Sequence, residues 1–281
     1  MKKYLALILA LALVFALVGC GSTATEPSAS PAEASAETSA EPVELAVFAA
    51  ASMTETLDKV IELYKTVAPN VTITPTYDSS GTLMTQISEG ADCDLFISAA
   101  QKQMNALDVT QDAEKNPDKL DFIDTETRVN ILENKVVLVV PEGNPANISK
   151  FADLANAKMI AIGNSDVPVG SYSLDIIKYL GLDIAALESA GKVTYGTNVK
   201  EVTTQVSEGT VDCGIVYATD AFSAGLTVVD TATKDMCKQV IYPAAVLKAS
   251  KNAVAAKSFL DFLTTDDAMK VFEAVGFMAV K

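Results

Sequence analysis

Four short segments of this chain place hydroxyl, amide or glycine groups where a helix begins directly after a strand. Ser52 follows the apolar run Glu44 to Ala50 and has Glu55 three residues on, the spacing of a capping box. Ser79-Ser80-Gly81-Thr82 opens a second helix, Pro168-Val169-Gly170-Ser171 a third, and Asn198-Val199 a fourth, with Glu201 at another capping-box spacing. Ligands of open α/β sheets sit beyond the carboxyl ends of the strands, at such helix starts. The first-turn N–H groups there lack carbonyl partners and carry the positive end of the helix dipole. Several of them converging would bind an anion without any charged side chain. Tyr217, closing the apolar run from Cys213, adds a phenolic hydroxyl. Each group also has an ordinary structural reading. Ser and Asn ahead of a helix are usually caps, a strand-end Tyr packs in the core with a wet hydroxyl, and Pro-Val-Gly is a turn signal.

Other chemistry is excluded by what the chain lacks. It has no histidine, no tryptophan and one arginine, Arg128. A Ser-His-Asp or Cys-His nucleophile pair and a histidine-based zinc site are therefore ruled out. A lone serine nucleophile needs an activating base, and no Ser-x-x-Lys stands in a convincing context near these helix starts. No G-x-x-x-x-G-K-[ST] phosphate loop is present. The 281 residues carry 36 acids and 21 bases, a formal charge of −15, two units more negative without Lys2 and Lys3. Such a chain has no general attraction for nucleic acid or anionic membrane surfaces.

The N-terminus gives an address. Lys2 and Lys3 precede an apolar run from Tyr4 to Val18, too short to span a bilayer and arranged as a secretory signal. It ends Leu17-Val18-Gly19-Cys20, which resembles the bacterial lipobox, with Cys20 as the lipidated mature terminus. Residues 1–19 are then the signal peptide. Residues 20–42 are the lipidated Cys20 and an Ala-, Ser-, Glu- and Pro-rich tether without a side chain able to build a core. Cys93, Cys213 and Cys237 are an odd set for an exported body. Buried thiols are the favoured reading, and one disulfide stays open.

The helix starts must be positioned by alternating elements. Strands are expected at Glu44–Ala50, Val71–Tyr77, Asp94–Ser98, Lys135–Pro141, Lys158–Gly163, Cys213–Tyr217 and Gln239–Leu247. Helices are expected at Ser52–Val67, Ser80–Glu89, Ser171–Leu180, Asn198–Glu208, Asn252–Leu263 and Asp266–Val275. The β-α-β-α-β order predicts a parallel sheet covered by helices. Gln86-Ile87-Ser88-Glu89-Gly90 before Asp92-Cys93 echoes Gln205-Val206-Ser207-Glu208-Gly209 before Asp212-Cys213, as two similar lobes would.

The motifs are similar, in order, to those of the molybdate-binding proteins of bacterial ABC importers. The similarity runs through Val47 to Glu55, Ser79 to Leu83, Gln86 to Ala99, Asn134 to Pro141, Ile162 to Asn164, Val167 to Tyr172 and Gly214 to Ala221, and so covers the body from Val43 to Lys281. It implies an α/β fold of the two-lobed type II periplasmic-binding-protein class, with parallel-rich sheets flanked by helices and a ligand cleft between the lobes. Residues 43–132 and 242–281 would form lobe one, and 133–241, including the crossover strands, lobe two. The family's two binding serines fall on Ser52 and Ser80, its backbone N–H donors on Val169 and Val199, and its phenol on Tyr217. The family commonly has alanine where Val169 stands, a position that contributes only main chain. The implied function is an extracytoplasmic lipoprotein that captures molybdate, and tungstate with it, for an ABC permease. It implies no catalysis, no cofactor and no cation site, the molybdenum being held as its oxyanion. A monomer, touching the membrane through its lipid only, fits a shuttling receptor. The alternatives are a receptor for another tetrahedral oxyanion such as sulfate, an exported enzyme on the same fold, and a purely structural surface lipoprotein.

Overall fold

The computed structural model describes residues 41–280. The signal segment 1–19, Cys20 and the tether as far as residue 40 lie outside the described residues.

The elements follow the expected alternation. The chain runs β1 (Val43–Ala50), a 3-10 turn (Ala51–Met53), α1 (Thr54–Tyr64), β2 (Val71–Asp78), α2 (Ser80–Ser88), β3 (Leu95–Ile97), α3 (Gln101–Ala106), β4 (Val129–Asn134) and β5 (Val136–Val140). It continues with β6 (Ile160–Gly163), α4 (Pro168–Tyr179), α5 (Ile184–Ser189), β7 (Val193–Gly196), α6 (Val199–Ser207), β8 (Cys213–Tyr217), α7 (Ala218–Ser223) and β9 (Thr227–Thr231). Last come β10 (Val240–Val246), α8 (Ala253–Phe262), α9 (Asp266–Glu273) and β11 (Met278–Ala279). Every expected strand and helix forms. The short elements β4, β7, β9, β11, α3, α5 and α7 were not expected, being too brief to carry a clear period.

Two sheets result, ordered β11-β4-β10-β3-β1-β2 and β7-β6-β8-β5-β9. The parallel-rich sheets expected from the strand–helix order form, with antiparallel strands added. Each sheet has a parallel core, β2-β1-β3 or β7-β6-β8. Each core is then joined antiparallel by a strand close to a chain crossing, β10 or β5. The chain leaves the first sheet at Lys135, between β4 and β5, and returns between β9 and β10.

The internal echo is structural. Both helices end in the same cap: Ala91 N–H bonds Gln86 O and Gly90 N–H bonds Ile87 O, while Thr210 N–H bonds Gln205 O and Gly209 N–H bonds Val206 O. This is the Schellman pattern, with Gly90 and Gly209 at positive φ. The aspartate matching Asp212 is Asp94, not Asp92. Asp94 N–H bonds Ala46 O and its carboxylate accepts from Ala46 N–H. Asp212 does the same with Met159, its carboxylate also accepting from Lys158 N–H.

Strand alternation divides the core. Phe48 points to a cluster with Leu83, Ile87, Phe96 and Met104, while Val47 and Ala49 join the main core with Leu57 and Val60. Each large side chain so buried stabilises by about 1.5–3 kcal/mol. Tyr64 of α1 packs against Phe259 and Phe262 of α8 with ring centroids 5.0 Å apart in both pairs, which brings the C-terminal helices back onto the first sheet. Arg128, its side chain 15% exposed, pairs with buried Asp108 and donates to Gln101 and Asn105, fastening the segment before β4 to α3. Cys93, Cys213 and Cys237 are free thiols. Burial pushes Cys93 and Cys213 up to about 12 and Cys237 to about 11, so all three stay protonated.

Candidate functional site

Ser52, Ser80, Val169, Val199 and Tyr217 are all buried, and the local reasons for their placement differ from the simple caps suggested by the sequence. Ser52 does not cap α1. It sits inside the 3-10 turn, Met53 occupies the N-cap without a side-chain bond, and no capping box with Glu55 forms. The Ser52 hydroxyl meets the Tyr242 hydroxyl at 2.8 Å instead. Asn134 Nδ2 donates to that same Tyr242 oxygen at 3.3 Å and to Thr219 Oγ1 at 2.9 Å. A hydroxyl has one proton. The Tyr242 oxygen accepts from Asn134, and either hydroxyl of the Ser52–Tyr242 pair can supply the shared proton; when Tyr242 supplies it, the Ser52 proton is left to donate elsewhere.

Ser80 is not a cap either. Ser79 is the N-cap of α2 and accepts from Thr82 N–H, and Ser80 is the first helical residue. Ser80 Oγ accepts from Ala99 N–H at 3.0 Å, which again leaves the hydroxyl proton free. Gly81 N–H donates to Asp166 O at 3.0 Å. A Cβ at Gly81 would lie 2.4 Å from that oxygen, so only glycine lets the start of α2 approach the turn ahead of α4.

Helix α4 starts earlier than expected, at Pro168, so Val169 and Gly170 lie in its first turn. Proline at the first position gives up no useful donor, and Val169 N–H faces no intrahelical carbonyl. Asn198 behaves as read. It caps α6 by accepting from Glu201 N–H, while the Glu201 carboxylate accepts from Thr197 N–H, one residue earlier than a regular capping box. Val199 and Lys200 then hold the first two backbone donors of α6.

The first sheet thus contributes the starts of α1 and α2, and the second the starts of α4 and α6. Gly81 touches Asp166, and Lys200 Nζ bonds both carboxylate oxygens of Glu55 at 2.8 and 2.7 Å. Tyr217 joins α4 to β10 through its ring. Its ring meets Tyr172 and Tyr242 edge-on, with centroids 6.4 and 6.0 Å apart. Its hydroxyl is buried and, among the described residues, bonds to nothing. Burial drives the phenols of Tyr217 and Tyr242 well above their ordinary value of about 10, so both remain O–H donors.

Tyr242, Asn134, Lys200 and Asp220 shape this region and carried no signal as site residues. Asp220, fully buried, faces Lys200 Nζ at 3.4 Å, and its oxygens make no hydrogen bond among the described residues. Burial raises its carboxyl to about 7, against the opposing pull of Lys200. Among the described residues no three His, Cys, Asp or Glu side chains are grouped to hold a metal ion. Two open clefts lie elsewhere, one of about 380 Å³ beside Glu44, Asp94 and Lys251 and one of about 390 Å³ beside Asp58 and Ile73. Neither is at the carboxyl end of a parallel strand, where ligands of such sheets bind.

Comparison with known proteins gives a consistent picture. A family model described as bacterial extracellular solute-binding protein matches residues 45–278. YvgL of Bacillus subtilis, provisionally described as an ABC transporter substrate-binding lipoprotein, is 34% identical over 99% of both chains. The molybdate-binding protein ModA of Escherichia coli is 33% identical over 83% of this chain and 88% of its own. Among solved structures, the substrate-binding domain of a provisionally assigned molybdenum ABC transporter from Clostridium difficile is 37% identical. It aligns with a TM-score of 0.63 over 85% of this chain and 100% of that one.

Proposed function

The chain belongs to the bacterial extracellular solute-binding protein family, and on that premise we propose that it captures molybdate, with tungstate as an equivalent ligand, for an ABC importer. The fold is the α/β type II periplasmic-binding-protein fold, and the protein works outside the cytoplasm. The finer reading is ours. The two sheets are the cores of two lobes that divide at Lys135 and between Thr231 and Val240. Cys20 carries the lipid that holds a monomeric receptor to the membrane. The protein performs no chemistry on its ligand.

The observation that carries the reading is the buried Tyr217 hydroxyl, a phenolic donor without an acceptor among the described residues. With it go the first-turn N–H groups of α4 and α6, which have no intrahelical carbonyl, the Ser80 proton, left free because Ser80 Oγ accepts from Ala99 N–H, and the Ser52 proton when Tyr242 is the donor of their shared bond. A fully deprotonated tetrahedral dianion accepts from every side and suits a set made of donors. Ser52, Ser80 and the Val169, Val199 and Tyr217 donors come from both sheets, so an anion touching them all stabilises the closed form by its greater affinity for it.

One feature favours a second reading. The unbonded oxygens of Asp220 offer an acceptor, which a protonated oxyanion such as hydrogen phosphate would use. Calorimetric titration with molybdate, then competition at constant ionic strength, separates the two. The donor positions treat all dianions alike in charge, so size decides. Shorter sulfur–oxygen bonds leave sulfate with stretched hydrogen bonds, which weaken steeply with distance. Excess sulfate or phosphate is expected to compete about 10²- to 10³-fold less well than molybdate, and tungstate equally well. Phosphate binding tighter than molybdate would move the assignment to the second reading, and sulfate binding as tightly would make this a sulfate receptor.

A further inference from the structure

We infer that Lys200 is a positioning residue that clasps the two halves of the protein over the anion site, through Glu55 on the first-sheet side and Asp220 on the second-sheet side. The inference rests on the receptor reading for its ligand but on separate residues. Lys200 lies in the first turn of α6, immediately after the Val199 donor. A cation there opposes the helix dipole, so its placement needs compensation. Two carboxylates supply it. Glu55, in the first turn of α1, takes the ammonium at 2.7 and 2.8 Å. Asp220, in the first turn of α7, faces it at 3.4 Å. Three helix starts from both sheets therefore meet at one ammonium group.

The geometry divides the roles. Asp220 is fully buried while Glu55 is 47% exposed, so Asp220 fixes Lys200 within its own half and Glu55 is the partner that opening would release. Helix starts that attract an anion also tolerate these two acids, whose charges would repel it. Lys200 offsets that repulsion beside the Val199 and Tyr217 donors. The titratable groups facing Asp220 are Lys200 on α6, Glu55 on α1, Tyr217 on β8 and Tyr242 on β10.

The test uses the full-length protein and the variants Glu55→Gln, Lys200→Gln and the double variant. Glu55→Gln keeps the Lys200–Asp220 contact and so preserves the second half intact. Molybdate dissociation is followed by stopped-flow tyrosine fluorescence. The clasp predicts dissociation about 2- to 5-fold faster in Glu55→Gln, at least as fast in Lys200→Gln, which also loses the Asp220 contact, no further increase in the double variant over Lys200→Gln, and a difference that shrinks in high salt. Small-angle scattering of the ligand-free proteins is the second arm, with Glu55→Gln expected to be more expanded than wild type. Wild-type dissociation from Glu55→Gln together with unchanged scattering overturns the clasp, as do single-variant effects that simply add. If wild type takes up no molybdate, the receptor reading fails, and the ligand-free scattering alone decides the clasp.

Discussion

Replacing Tyr217 by Phe should move binding and stability in opposite directions. The substitution removes one oxygen and keeps the ring, so the edge-on contacts with Tyr172 and Tyr242 at 6.4 and 6.0 Å survive. In the ligand-free protein that oxygen is buried, in a residue 1% exposed, with no partner among the described residues. A buried donor left unsatisfied costs roughly 1–3 kcal/mol, so its removal should leave the ligand-free fold unharmed or more stable by up to about 1 kcal/mol. With an anion present the same hydroxyl gains a charged acceptor, a bond worth about 1.5–3 kcal/mol. Affinity for molybdate should therefore fall roughly 10- to 150-fold. Calorimetry gives the affinity, and urea unfolding without ligand gives the stability. A variant that binds like wild type, or one whose ligand-free stability drops by as much as its affinity, would refute the assignment of Tyr217 as a donor to the ligand.

Ser80→Ala strands the Ala99 N–H that its oxygen now satisfies, so it should lower both ligand-free stability, by about 1–3 kcal/mol, and molybdate affinity, read by urea unfolding and calorimetry. Asp220 keeps its proton to about 7 in the fold because it is buried, against about 4 when unfolded. The folded form then binds more protons, so this group's stabilisation is present below about pH 4 and lost as pH rises to about 7. Melting temperatures of Asp220→Asn against wild type across that range should show the decline removed. Arg128→Ala removes the cation from Asp108 but leaves the Thr110 and Gln111 donors to its carboxylate, and should cost about 1.5–3 kcal/mol in urea unfolding, the worth of a charge-assisted bond, with molybdate affinity retained per folded molecule. Cys20→Ser should release the protein from membranes without changing affinity, and a variant still sedimenting with membranes in high salt would contradict the lipid anchor.

Local features of this protein are legible in its sequence because they are decided by neighbours within one turn of helix or one strand. The Asn198 cap with Glu201, the repeated glycine caps after Gln86 and Gln205, and the buried runs of β1, β5 and β8 are of this kind. The same nearness explains the misreadings. Ser52 and Ser80 look like caps from their flanks, yet Ser79 holds the α2 cap and a 3-10 turn removes Ser52 from that role.

Composition alone left no histidine chemistry and no general attraction for nucleic acid, and the order of strand–helix junctions determined which backbone donors were available. What those donors face was decided by tertiary structure. The Ser52–Tyr242 bond spans 190 residues, the Asn134–Tyr242 bond 108 and the Lys200–Glu55 bond 145. Nothing near either end of such a pair encodes the other. The meeting depends on β10 entering the first sheet antiparallel beside β3, and on α6 reaching α1 from the second sheet. Those arrangements are set by how two whole sheets bury their apolar faces. Tyr217 shows the division most plainly: its place at the end of a strand is written in the run from Cys213, while the missing partner of its hydroxyl exists only once Tyr172 and Tyr242 have closed around the ring.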